Sequence, residues 1–270
     1  MRLINLNVNV FEKNNSKLKA FLIKTDPDIV CFQEVSRKIG LNVDPGYLSL
    51  PAIEEATPKL IHKFFGPCWI AKDFRQTNFH QERYFKVNYG DWLEIGLLIC
   101  SKYPIYHGKL VFVQGNLSFI TNWSSWPKKD NRAVQIADLM IDNNTPNLRV
   151  INYHGIWSRE KAGNHQTLKA NQTIVKHGKA VNYPVLICGD FNLFPNTKSM
   201  QILDQEFESL IDKYRIKTTR PHSNELSGRK RNVVDYIFIS KKIKVCNFSV
   251  PMISISDHLS LIIDFDISKL

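Results

Sequence analysis

Apolar and polar positions alternate with period two over residues 1–10. Ile4, Leu6, Val8 and Val10 share one face of an extended chain, and Asn5, Asn7 and Asn9 share the other. Three asparagines on one strand face require polar partners. The spacing of Leu18, Phe21 and Leu22 then predicts a helix over 13–24, closed by Asp26-Pro27 before a second strand at 29–32 that ends in Gln33-Glu34. A glutamate at that place is either a helix N-terminal residue favoured by the dipole or a metal ligand. Residues 40–90 are less regular and mix aromatic with basic side chains, which suits half-buried strands or a surface that meets bases and phosphates. A strand follows at 94–101, and 116–129 read as an exposed loop carrying Trp123 and Trp126. Further strands open at Arg132 and run from 148 to a close at His154, and helical spacing covers 161–181 and 199–213.

Between those helices lies VLICGDFNL, residues 185–193. Four apolar residues form a buried strand, and Gly189 is expected to turn the backbone sharply, so that Asp190 and Asn192 emerge at the strand end while Phe191 returns to the core. Such a pair is either a local Asx-type turn or a shared hold on one ligand. Residues 215–232 are polar, basic and turn-rich, with Arg220, His222, Arg229, Lys230 and Arg231. Strands at 235–240, 243–248 and 261–265 complete the pattern, with Ser256-Asp257-His258 before the last.

Strands outnumber helices, and the connections at 139–148, 240–243 and 248–261 are too short or irregular for helical crossovers. An α/β layered domain with mixed sheets follows. No repeat or linker divides the chain, so residues 1–270 read as a single domain, a monomer with no inferable protein partner. An apolar share of 43% suits a well-cored protein, and no stretch has the apolar length of a membrane span. No secretory leader is seen. The five cysteines, odd in number and mostly inside strand patterns, act as small hydrophobes and point to a reducing, cytoplasmic setting. The formal net charge of +11 favours a polyanionic partner over a merely basic soluble protein.

Polar residues recur at strand ends: Asn7, Glu34, His154, Asp190, Asn192, Asp235, Asp257 and His258. If they converge, the clustered carboxylates need a hard cation, and oxygen ligation with few histidines argues Mg²⁺, with Mn²⁺ as substitute, over zinc. The remaining acids and histidines are then free for proton transfer. That division suits phosphoester hydrolysis, whose barrier only several cooperating groups can lower.

The ordered set INLNVN at Asn7, Gln33-Glu34, GLLICSKYPI from Gly96, Arg132 in NRAVQIADL, His154, Gly189-Asp190-Phe191-Asn192, Asp235-Tyr236 and Ser256-Asp257-His258 resembles the endonuclease/exonuclease/phosphatase superfamily. That superfamily embraces deoxyribonuclease I-like nucleases, abasic-site endonucleases, tyrosyl-DNA phosphodiesterases, sphingomyelinases and inositol-polyphosphate phosphatases. The resemblance implies a four-layered α/β sandwich, two mixed β-sheets packed face to face with helices outside. It implies Mg²⁺ on Glu34, helped by Asn7 and Asp257. Asp190 would position or deprotonate the attacking water, Asn192 would hydrogen-bond the phosphate, and His258 would contact it, oriented and kept cationic by Asp235. His154 would stabilise the transition state or protonate the leaving oxygen, and Arg132 and Arg220 would bind substrate. Abasic-site endonucleases tend to carry tyrosine at the position of His154, so the histidine points to other branches. The expected function is a Mg²⁺-dependent phosphodiesterase acting on DNA or RNA. The alternatives are a phosphomonoesterase or lipid-headgroup phosphodiesterase, of inositol phosphate or sphingomyelin type, and a catalytically silent nucleic-acid-binding protein.

Overall fold

The computed structural model describes residues 1–267 apart from 73, 81–82, 122–130, 143–144, 159 and 222–231, and describes the backbone alone for 75–80 and 83–87. Trp123, Trp126, His222, Arg229, Lys230 and Arg231 therefore lie outside the described residues.

In chain order the strands are β1 (Arg2–Asn7), β2 (Ile29–Lys38), β3 (His62–Ala71), β4 (Arg75–His80), β5 (Arg83–Asn88), β6 (Leu93–Ser101), β7 (Ile105–Gln114), β8 (Ser118–Ile120), β9 (Arg132–Leu139), β10 (Leu148–His154), β11 (Val185–Asp190), β12 (Glu208–Ser209), β13 (Asp235–Ile239), β14 (Ile243–Ser249) and β15 (Leu261–Ile267). The helices are α1 (Asn15–Thr25), α2 (Ser49–Ala56), α3 (His165–Lys179), α4 (Lys198–Asp204) and α5 (Leu210–Lys213). Seven strands form one sheet in the order β14-β15-β1-β2-β6-β3-β8, six form another in the order β12-β13-β11-β10-β9-β7, and β4 and β5 pair as a hairpin. Both large sheets are mixed. β1 runs parallel to β2, and β10 parallel to β11, among antiparallel neighbours.

The central strands β1, β2, β6, β9, β10, β11 and β13 are buried along nearly their whole length, which explains their near-continuous apolar runs, whereas the edge strands β7 and β14 are largely exposed or half-buried. Leu3, Ile29, Cys31 and Ile99 of the seven-stranded sheet meet Val134, Ile136, Ile151 and Ile187 of the six-stranded one. On the outer side, Ile4, Leu6, Val30 and Phe32 receive Leu18, Phe21 and Leu22 of α1 and Leu50 and Ile53 of α2. Ala170 and Ile174 of α3 and Met200 and Leu203 of α4 cover the second sheet. The result is the expected four-layered α/β sandwich.

The inward asparagines find their partners between the sheets. Gln33 Nε2 donates to Asn5 Oδ1 at 2.9 Å and to Asn152 Oδ1 at 2.6 Å. Asn152 Nδ2 in turn reaches the Phe32 and Leu98 carbonyls and Gln135 Oε1, and Gln135 Nε2 reaches the Phe64 carbonyl. This amide ladder joins the two sheets within an otherwise largely apolar interface.

Three local expectations change. Gly189 is no turn: β11 continues through it to Asp190, and a Cβ there would stand 1.9 Å from the Tyr153 carbonyl oxygen of the neighbouring strand. The chain turns later, at Asn192, whose φ is 55°. The helix expected from 161 begins at His165, because Asn164 Oδ1 accepts from the Gln166 and Thr167 amides and Thr167 Oγ1 accepts from the Asn164 amide. The helix expected over 199–213 is two short ones separated by β12, since Ser209 Oγ caps a new helix at the Asp212 amide.

Candidate functional site

The parallel pairs bring strand C-termini to one edge of the sandwich. In the six-stranded sheet His154 lies in register with Asp190, and Asp190 with Asp235, so three adjacent strands present three polar side chains side by side. In the facing sheet Asn7 ends β1 beside Gln33 of β2. A bulge interrupts β2 between Phe32 and Val35, and Glu34 within it has φ 57°, which re-aims its side chain toward the site. Ser256 Oγ donates to the Asn7 carbonyl at 2.6 Å and accepts from the His258 amide at 3.0 Å, tying the Asp257-His258 turn to β1.

Asp190 stands at the focus. Its Oδ2 lies 3.2 Å from Asn7 Nδ2, 3.7 Å from His154 Nε2 and 3.6 Å from His258 Nε2, and its Oδ1 accepts from the Asn192 amide at 2.9 Å. Although burial opposes ionisation, His258, His154, Lys161 and Arg220 hold this carboxyl below the usual range. His258 Nδ1 sits 2.9 Å from Asp235 Oδ1. Burial and the Arg220 charge oppose its protonation, and Asp235, Asp190 and Asp257 outweigh them and lift it to about 9, so it is cationic at neutral pH. Burial and the neighbouring Arg132 push His154 far the other way. Arg132 Nη1 lies 2.8 Å from His154 Nδ1, with its guanidinium over the Trp69 ring. Arg220 is engaged with Asp257, Nη1 to Oδ2 at 3.2 Å.

Glu34 has Oε1 on Asn7 Nδ2 at 3.0 Å and Oε2 on the Val10 amide at 3.2 Å. Burial and the charge of Asp257 raise its pKa. A buried carboxyl raised by a neighbouring carboxylate, with an amide nearby and oxygen donors on both, fits a hard divalent cation. Asn7 points its amide nitrogen at Glu34 and Asp190, while its Oδ1 accepts from the Asn9 amide at 3.0 Å. Asp190, Asp235 and His258 also lie close enough to share an ion, their donor atoms within 4.8 Å of one another. In that group the His258 Nδ1 is already taken by Asp235.

The residues Asn7, Glu34, His154, Asp190, Asn192, Asp235, Asp257 and His258 thus come together in one cluster. Two others do so without having been singled out. Thr219 Oγ1 accepts from the Val234 and Asp235 amides and its carbonyl accepts from the Leu259 amide, linking the turns that carry Asp235 and His258. Lys161, only 6% exposed, donates from Nζ to Asn192 Oδ1 at 2.7 Å. The trace of it in the sequence was Asn164, three residues on, a helix-capping residue that leaves Lys161 ahead of the helix.

Burial lowers the Lys161 pKa from its ordinary 10.5 to about 8. A native value below the unfolded one means that the protonated lysine costs stability, about 3 kcal/mol below pH 8, and that the cost fades as pH climbs toward 10.5. Relative to Lys161→Met, the wild type should therefore gain stability between pH 8 and 10.5, read from urea unfolding at several pH values. Parallel pH curves for the two proteins would contradict the burial penalty.

No helix among the described residues is long and apolar enough to cross a membrane. The family model for the Endonuclease/Exonuclease/phosphatase family matches residues 4–258. Among solved structures, an endonuclease/exonuclease/phosphatase from Beutenbergia cavernae is similar at 14% identity and TM-score 0.69, over 99% of this chain and 71% of that one. The mannosyl-6-phosphatase Bt3783 of Bacteroides thetaiotaomicron is similar at 12% identity and TM-score 0.63, over 98% and 99% of the two chains. The human Nocturnin catalytic domain, solved with a bound sulfate anion, is similar at 16% identity and TM-score 0.63, over 99% and 94%. No curated protein sequence matches the chain. With the fold, the order of the motifs and the family model over nearly the whole length in agreement, the chain belongs to the endonuclease/exonuclease/phosphatase family of phosphoesterases.

Proposed function

We propose that the protein is a Mg²⁺-dependent phosphodiester hydrolase that cleaves nucleic acid. The observation that carries the reading is the position of Asp190 Oδ2, within 3.7 Å of His154, His258 and Asn7 at an edge where Glu34 and Asp257 fit a cation. Glu34 and Asp257 would hold the ion beside Asn7, and when bound it would neutralise charge on a phosphoryl oxygen. Asp190 orients a water for attack at phosphorus and accepts its proton as the new P–O bond forms and the ester P–O bond breaks, the departing oxygen taking up a proton from solvent water. An incoming phosphate offsets the positive charges that hold the Asp190 pKa down, so substrate binding itself makes this carboxylate a better base. His258, cationic through Asp235, donates to a non-bridging oxygen. His154, kept neutral, serves as a hydrogen-bond donor and not as the acid for the leaving oxygen. The net charge of +11 supports a polyanionic substrate.

The test is cleavage of a labelled panel: plasmid DNA, single-stranded DNA, abasic-site duplex, RNA, an inositol phosphate, mannose 6-phosphate and sphingomyelin. Cleavage of a polynucleotide, lost with chelator, restored by Mg²⁺ or Mn²⁺ and weakened steeply by salt, is the expected result. Turnover confined to a phosphomonoester would replace this reading with a phosphatase like the Bacteroides neighbour. Turnover confined to sphingomyelin would replace it with a headgroup phosphodiesterase. Binding of nucleic acid without cleavage of any ester would leave a silent binding protein.

A further inference from the structure

Between His154 and α3 the chain makes a short loop whose shape is set by its own backbone. The Lys161 amide donates to Ser158 Oγ at 3.1 Å, Lys161 has φ 51°, and its carbonyl accepts from the Phe194 amide at 2.9 Å. This loop is therefore fastened to the turn that carries Asn192. Within it, Lys161 Nζ is buried and has one hydrogen-bond acceptor, the neutral Asn192 Oδ1, with no carboxylate oxygen within 4.0 Å among the described residues. Asp190 and Asp235 act on it only from beyond that distance, and an ammonium with three N–H donors, buried with a single neutral acceptor, is better satisfied when an anion comes into direct contact. Asn192, its acceptor, also has its amide nitrogen 3.4 Å from Asp190 Oδ2, so an anion bound at the Asp190 site lies on the side where the ammonium already points.

Trp157 stands next to this ammonium. Lys161 Nζ lies over the indole, 5.9 Å from its ring centroid, while Trp157 as a residue remains 55% exposed. Trp157 is the one large exposed apolar side chain among the described residues of 155–164, a single planar surface unsuited to an acyl chain and suited to one flat ring. One side chain thus bridges the Asn192 amide and an aromatic face, the relation of a phosphate to the base of its own nucleotide.

We propose that Lys161 and Trp157 form a nucleotide subsite, in which the ammonium takes a non-bridging oxygen of the scissile phosphate beside Asn192 and the indole stacks on the nucleobase joined to that phosphate. The proposal rests on the phosphodiesterase reading above. Stacking tolerates any base, so the subsite recognises that a base is present and not which one.

The test uses two chromogenic diesters with Mg²⁺, the p-nitrophenyl ester of thymidine 5′-monophosphate and that of deoxyribose 5-phosphate, which lacks the base. The wild type should prefer the base-bearing ester, and Trp157→Ala should reduce that preference about tenfold through KM, equivalent to ~1.4 kcal/mol. Lys161→Met should raise KM for both esters and weaken inhibition by inorganic phosphate, with partial return in Lys161→Arg. Independently of turnover, thymidine 5′-monophosphate should quench tryptophan fluorescence in the wild type and not in Trp157→Ala, and deoxyribose 5-phosphate should quench neither. Equal cleavage of the two esters by the wild type, or an equal effect of Trp157→Ala on both, overturns the subsite while the diesterase reading stands. Phosphate inhibition unchanged in Lys161→Met removes the ammonium's part. Hydrolysis of neither diester beside turnover of a sugar phosphate defeats the diesterase reading and the subsite with it.

Discussion

Asp190→Asn should lower kcat by about 10³-fold or more while leaving substrate affinity largely unchanged. The substitution keeps the shape and can keep the contact to the Asn192 amide at 2.9 Å, so the turn after β11 survives. What it removes is the anion that faces His154 Nε2 and His258 Nε2 at 3.7 and 3.6 Å, together with any capacity to take a proton from water. Affinity depends on other groups, Asn192, His258 and the positive surface. The measurement is kcat at saturating Mg²⁺ beside substrate binding by fluorescence anisotropy. A variant that keeps a tenth of the wild-type rate would remove Asp190 from the proton-transfer role.

Gly189→Ala should cost more than about 4 kcal/mol, enough to leave little folded protein. Gly189 has φ 150°, and an added Cβ would meet the Tyr153 carbonyl oxygen at 1.9 Å. That oxygen belongs to the backbone of β10, paired in parallel with β11, so relief requires the central strands of the sheet to separate. Tyr153 is also held by Phe191, ring centroids 5.2 Å apart, which closes the easy direction of movement. Soluble yield and urea unfolding of the variant measure the effect. A stable, well-folded Gly189→Ala would show that β10 yields more readily than the packing implies.

The same residue marks the boundary of what the sequence discloses. As a single-chain signal, glycine before Asp190 reads as a turn, whereas its reason is a carbonyl on another strand. Most of the candidate site was legible because strand ends are local features, and His154, Asp190 and Asp235 each close or open an apolar run. Their alignment across three strands is visible only in the register. Lys161 was hidden for a related reason: its partner Asn192 is brought to it by the folding of α3 and β11, and nothing in its own neighbourhood indicates burial. The mixed sheets followed from connection lengths. The hairpin of β4 and β5 did not, because its aromatic and basic residues suit several backbones equally.

The tie between Ser256 and the Asn7 carbonyl spans 249 positions of the chain. β1 lies between β15 and β2, and His258 arrives just ahead of β15, so the first strand cannot complete its sheet before the last is available. During synthesis, then, the growing chain passes through every length up to β15 with the edge that carries the candidate site unassembled. On the nucleic-acid reading proposed above, hydrolytic capacity would await that last strand, and the incomplete chain would be inert beside the RNA that encodes it.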